Sequence, residues 1–142
     1  MRKYRFISDV AIAETCFEAY GQNLNLLFKH AALALEEVMV DTQSVNEKET
    51  KKLEVRGETL GDLLFRFLEE MVYLKDIEQL LFKTFNIQVI NTKPLRLTAE
   101  LKGEKIDPEK HRLRTDIKAV TYHLFEVKKE KNIWKARVVV DV

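Results

Sequence analysis

The chain has 142 residues, enough for one domain with a substantial core. A hydrophobic content of 46% with 33% charged residues excludes a disordered polymer, and no apolar run approaches the roughly 18 to 20 residues that a membrane helix needs. The net charge of +1 excludes a stand-alone polybasic nucleic-acid binder, although residues 93–142 carry 13 Lys and Arg against 8 Asp and Glu, and residues 1–92 carry 11 against 15.

Phe6 to Tyr20 reads as one or two strands ending at Gly21. A helix follows from about Asn23 to Val40, because Leu24, Leu27, Phe28, Ala31, Leu35 and Val38 fall at helical spacing and form one apolar stripe. Asp41 to Lys52 reads as a polar connection and Leu53 to Arg56 as a short strand before Gly57. Thr59 is placed as the N-cap of a second helix carrying Leu60, Leu63, Leu64, Phe67, Met71 and Leu74, which Asp76 to Leu81 extends or restarts. Phe82 to Ile90 is a strand, and Leu95, Leu97, Ala99 and Leu101 alternate with polar residues in another. Gly103 to Thr115 reads as a charged loop, and three extended runs close the chain: Ile117 to His123, Leu124 to Lys129 and Trp134 to Val140.

Two amphipathic helices among some seven or eight strands predict an α+β domain spanning residues 1–142. The short connections predict mainly antiparallel pairing. A strand near the C-terminus at a sheet edge could pair with a second copy, which Lys135 and Arg137 would discourage, so a monomer is expected. A single cysteine excludes an internal disulfide, and the basic segment Met1 to Phe6 lacks the apolar run of a secretory signal; the cytoplasm is the expected compartment.

Catalytic machinery is scarce. Four glycines make no phosphate-binding loop, and His30, His111 and His123 have no metal-ligand spacing with Cys16. Cys16 reads as a small core residue, His30 as surface or boundary, and His123 as an interior hydrogen-bonded histidine of a strand. The acidic residues carry more. The chain ends on Asp141-Val142 directly after an apolar run, which places a side-chain carboxylate beside the terminal one on a pinned element. With Glu14 in the first extended region these supply the hard oxygen donors that calcium or magnesium requires. Lys102, Lys105, Lys110, Arg112, Arg114 and Lys118 form a basic segment able to meet RNA phosphates.

The run Ala13-Glu14-Thr15-Cys16-Phe17-Glu18-Ala19-Tyr20-Gly21 resembles the opening motif of the archease family. Ala31 to Met39 is similar to that family's first helix, and Leu63 through Phe82 to its second helix and exit. Lys118-Ala119-Val120-Thr121-Tyr122-His123 and the closing Ala136 to Val142 follow in the family's order. The resemblance implies a non-catalytic α+β protein that activates an RtcB-type, GTP-dependent RNA ligase in tRNA splicing and RNA repair, promoting guanylylation and multiple turnover.

It also implies a divalent-metal site, calcium in character, at Glu14, Asp141 and the Val142 carboxylate. The early acidic position is usually Asp in the family, so Glu14 is one methylene longer. Ala11 stands where a histidine is frequent, and Asp9 offers a further carboxylate nearby. The alternative function is an RNA-binding or chaperone-like module acting through residues 102–118; a metal-dependent hydrolase ranks last, since no base or nucleophile accompanies the carboxylates.

Overall fold

The computed structural model describes residues 1–8 and 11–142. Two polar side chains start its two helices. Asn23 accepts from the Leu26 N–H at 2.9 Å and opens α1 (Leu24–Met39). Thr59 accepts from the Asp62 N–H at 3.0 Å and opens α2 (Leu60–Glu78), while the Asp62 carboxylate accepts from the Glu58 N–H at 2.8 Å. Gln79, in the left-handed region at φ 55°, ends α2.

Seven strands, all paired antiparallel, form two sheets. The first holds β1 (Tyr4–Ile7), β2 (Glu14–Gly21), β6 (Ala119–Glu130) and β7 (Ile133–Asp141) in the order β1-β2-β7-β6. The second holds β3 (Glu49–Gly57), β4 (Leu80–Ile90) and β5 (Leu95–Lys105) in the order β3-β5-β4. The helices form a layer between the sheets: α1 packs on β2 and β4, and α2 on β6 and β3. The expected α+β class with mainly antiparallel strands and two main helices is the observed one.

This layering corrects the single apolar stripe expected for α1. Phe28, Ala32, Leu35 and Met39 are buried together with Ala31, Ala34 and Val38, because a helix clamped between two sheets must be apolar over most of its circumference. The same clamp buries His30, read from the sequence as surface or boundary. Its Nδ1–H donates to the Tyr20 carbonyl, and burial pushes its pKa down, so the ring is a neutral internal brace.

Several strand boundaries also differ. Glu49–Lys52 belong to β3 and Gly103–Lys105 to β5, although both segments read as polar connections. Their ladders satisfy the backbone whatever the side chains on the solvent face, so polarity is a poor guide to where they stop. The last three extended runs are two strands, since β6 continues through an irregularity between Thr121 and Glu126 in which Leu124 has φ 55°. The C-terminal strand is interior: β7 lies between β2 and β6, so the edge on which self-pairing was considered does not exist there.

Between β5 and β6, the segment 106–118 is strapped down by side chains. Buried Lys75 on α2 donates to the Ile117 carbonyl at 2.8 Å and pairs with Asp76 and Asp116. Buried Glu104 accepts from the His111 Nε2–H at 2.9 Å, from Lys110 at 2.7 Å and from the Asn46 N–H at 2.7 Å. His111 Nδ1 accepts from the Asp107 N–H at 2.9 Å, which makes the ring a neutral Nε2–H tautomer.

Candidate functional site

On the outer face of the first sheet one row of side chains runs Arg5, Glu18, Arg137, Glu126 across all four strands. The charges alternate and are connected: Arg5 to Glu18 at 2.7 Å and Arg137 to Glu126 at 3.0 Å. Lys135 adds a contact to Glu18 at 3.1 Å, and the Tyr20 hydroxyl donates to it at 2.9 Å. Burial opposes ionisation of Glu18, but the hydrogen bonds from Arg5, Tyr20 and Lys135 outweigh it and hold the carboxyl below its usual range.

Four residues along β2 the logic reverses. Glu14 is directly opposite Asp141, and Asp141 is directly opposite Ala119. Like charges facing one another across a ladder destabilise it. Lys128 and Lys135 are also opposed, yet each has carboxylates at hand: Glu126 and Glu130 for Lys128, Glu18 for Lys135. The Glu14–Asp141 row has no Lys or Arg among the described residues. Its small third member, Ala119, leaves the space beside Asp141 open.

The backbone around this row is fixed. The Val142 N–H donates to the Ala13 carbonyl at 3.0 Å, and the Lys118 N–H donates to the Asp141 carbonyl at 2.8 Å. Val142 is thus tied through its backbone to Ala13, the residue before β2. The Glu14 side chain is mostly buried, and its Oε2 is an enclosed acceptor without a hydrogen bond. An enclosed carboxylate oxygen without a hydrogen bond is costly.

The structure therefore brings Glu14, Asp141 and Val142 together at one tip. It adds His123, which the sequence had placed inside the protein: the ring is over half exposed, and its Nδ1 lies 3.4 Å from Glu14 Oε2. His123 reaches this place from the irregular segment of β6, where four residues leave the ladder. Alternation predicts a regular strand and so hides it; the break in pattern at Leu124-Phe125 was the available signal. Asp9 lies outside the described residues.

The donor set fits a hard cation in part. Among the described residues no three His, Cys, Asp or Glu side chains converge as a cation cage. Two carboxylate side chains and the Val142 carboxylate are the oxygen donors that could serve, and Glu14 Oε2, enclosed and without a hydrogen bond though 3.4 Å from the His123 ring, is the feature that fits a cation. Cys16 contributes nothing here: it is buried in the sheet, and burial pushes its thiol pKa up.

Most of the basic segment is committed elsewhere. Lys110 binds Glu104 at 2.7 Å, Arg112 binds Asp41 at 2.7 Å, and Arg114 binds Glu37 at 2.8 Å. Lys105 donates to the Glu78 carbonyl at 2.9 Å, and Lys102 lies 3.9 Å from Glu100. Lys110, Arg112 and Arg114 fasten a loop to the body of the protein.

No helix of the described residues is long and apolar enough to cross a membrane. A profile of the Archease protein family matches residues 4–142. The protein archease of Sulfurisphaera tokodaii is 39% identical over the full length of both chains, and that of Pyrococcus abyssi is 38% identical over 98% of this chain and 96% of its own. The solution structure of Methanobacterium thermoautotrophicum protein 1598 superposes with a TM-score of 0.87 at 38% identity, covering both chains completely. A Thermotoga maritima crystal structure, described as an archease and possible chaperone, shares the fold with a TM-score of 0.64 at 21% identity, over all of this chain and 98% of its own. With two independent sequence relatives above 30% identity and a family match over nearly its entire length, the chain belongs to the archease family.

Proposed function

We propose that this protein is a non-catalytic activator of an RtcB-type GTP-dependent RNA ligase, acting in the cytoplasm to promote ligase guanylylation and repeated turnover in tRNA splicing and RNA repair. The class of partner is what the resemblance of the Glu14 and Asp141 motifs implies, and membership of the family supports that reading. The observation that supports an acidic working tip is the opposition of Glu14 and Asp141 beside a terminus tethered to Ala13, in a sheet whose neighbouring charge row is fully complementary.

Glu14, Asp141 and the Val142 carboxylate are the residues that would hold a divalent cation; their hard oxygen donors suit calcium or magnesium, and the family resemblance implies calcium. Such an ion would offset most of the tip's negative charge and could take a partner's phosphate or carboxylate oxygen as a further ligand. The protein's own residues do the rest: the Val142 and Lys118 amides keep the carboxylates in place, and β7, in the middle of its sheet, gives the tip a rigid base. An activator must bind two states of its ligase with different affinity, and a rigid, charged tip is suited to that discrimination.

The test is ligase guanylylation at limiting GTP, with and without this protein, at matched calcium. The wild-type chain should accelerate guanylylation and allow many turnovers per ligase. Asp141→Ala, shown by circular dichroism to be folded, should lose the stimulation. Deleting Val142, which shifts the terminal carboxylate by one residue, should do the same. Full stimulation by folded Asp141→Ala protein would refute the working tip.

A further inference from the structure

The other sheet also holds a like-charge opposition, between two cations. Arg56 on β3 is directly across from Arg96 on β5. Elsewhere on that outer face the ladder is complementary or neutral, with Lys52 opposite Glu100 and Glu54 opposite Thr98. Arg56 has a loose contact of 3.4 Å to Glu54, and among the described residues Arg96 meets no carboxylate. The register sets both side chains on one face, and an anion bound between them would relieve their repulsion.

Arg56 is also part of a cleft of about 530 Å³, between the end of β3, the start of α2 and the turn entering β5. Arg66 and Lys93 line it with Arg56, as does Glu58. Lys93 is exposed and, among the described residues, has no carboxylate partner; Arg66 is held by Asp62 at 3.0 Å, which aims it from the helix. The volume lies in the range of small-ligand sites.

Next to this cleft stands an aromatic platform. Tyr122 is 72% exposed, and one face of its ring stacks on buried Phe65 with centroids 3.9 Å apart and planes 5° from parallel. Phe125 braces Phe65 edge-on at 5.4 Å. One face covered and so much of the ring exposed leaves the other face to solvent, in a fixed orientation. Phe65, on which Tyr122 stacks, and Arg66, which lines the cleft, are consecutive on α2, so the platform and the cleft adjoin.

We propose that this surface binds a single-stranded polynucleotide, its phosphates lying along Arg66, Arg56, Arg96 and Lys93 and one base stacking on Tyr122. A cationic track beside a rigid, half-covered aromatic ring is the arrangement that holds unpaired strands, because every base presents a face for stacking and every phosphate a charge. An acidic peptide would use the cations and leave the ring unused. The inference stands apart from the ligase reading: it concerns different elements and a direct affinity that needs no ligase.

Fluorescence anisotropy with an eight-residue oligoribonucleotide at low salt tests it, using the full chain. Binding should weaken with added salt, in proportion to the phosphates neutralised. Lys93→Glu with Arg96→Glu should weaken it roughly tenfold or more and lower the salt slope by about 0.7 for each phosphate no longer neutralised. Tyr122→Ala should weaken it about tenfold and Tyr122→Phe should restore it, since the ring and not the hydroxyl stacks. Lys131→Glu, at the far hairpin between β6 and β7, should change little. Equal affinity for a deoxyribose strand agrees with the proposal. No binding at low salt overturns it, as does equal affinity for a duplex, equal competition by polyglutamate, or an equal loss in Lys131→Glu. Ligase stimulation measured on the same variants keeps the two readings separate.

Discussion

Glu14 and Asp141 are directly opposed on β2 and β7, whereas four residues inward on the same strands Glu18 is opposed by Arg137. Two carboxylates therefore face each other at the end of the sheet where Val142 is tied to Ala13, and the backbone amides of Lys118 and Val142 that pin the strands carry no charge to offset them.

Calcium should stabilise the folded chain through this row. Thermal unfolding in calcium against chelator should show a higher transition temperature with calcium, corresponding to about 2.7 kcal/mol at a hundredfold excess over Kd. Asp141→Asn should unfold at a higher temperature than wild type in chelator, because the opposed charges are gone, and should lose the calcium response. An equal response in both proteins would remove the metal site.

Glu36 should make the protein less stable as pH rises through neutrality. Its carboxyl is fully buried on α1, and burial, only partly countered by the Phe82 N–H at 2.8 Å and the charge of Lys75, pushes its pKa up to about 8. The unfolded chain releases this proton near 4.5 and the folded one near 8, so the native state is favoured most below 4.5 and loses that advantage as pH climbs to 8. Urea unfolding at pH 5 and pH 8 should show a larger drop for wild type than for Glu36→Gln, the difference being at most a few kcal/mol. Parallel pH curves for the two proteins would contradict it.

Glu104 acts at the other end of the scale. Burial resists its charge, but the hydrogen bonds from His111, Lys110 and Asn46 more than offset it and lower its pKa to about 2. Its contribution is present above about 4.5 and lost as pH falls from there toward 2. Glu104→Gln should flatten the acid limb of the stability curve and release segment 106–118, seen as faster hydrogen exchange at His111 and Arg112. Unchanged exchange there would show that the strap does not depend on the carboxylate.

Gly103→Ala should be among the most damaging single changes. Gly103 lies where β4 shifts register between Phe82 and Thr84, and an added Cβ would run into the Leu81 carbonyl. Backbone cannot yield as a side-chain end does, so the cost should be about 1–3 kcal/mol or more, read as a lower urea midpoint. A midpoint equal to wild type would mean that the shift in β4 relaxes freely.

Much of this molecule was legible in its residues. The apolar spacing of Leu24 to Val38 and of Leu60 to Leu74, with Thr59 as a cap, placed α1 to within a residue and the start of α2, because capping and 3.6-residue periodicity are local. The end of α2 at Glu78 lies inside the stretch from Asp76 to Leu81, which the spacing leaves open. The alternation of Leu95 to Leu101 marked β5 for the same reason. The motif around Glu14 and the closing Asp141-Val142 identified the family and named the tip's carboxylates.

What sequence could not determine were relationships between distant segments. Residues 14 and 141 become neighbours only because β7 enters between β2 and β6, and that placement turned a supposed edge into the centre of the sheet. The burial of His30 and Glu36 depends on α1 being clamped from both sides, which no single-face pattern announces. His123 reaches Glu14 through a break in β6, and Arg56 meets Arg96 through register. Local propensity and periodicity act over a few residues and so can be read from the chain; strand order, register and layer packing are set by the global burial of apolar surface, and only the folded structure decides which charges they bring face to face.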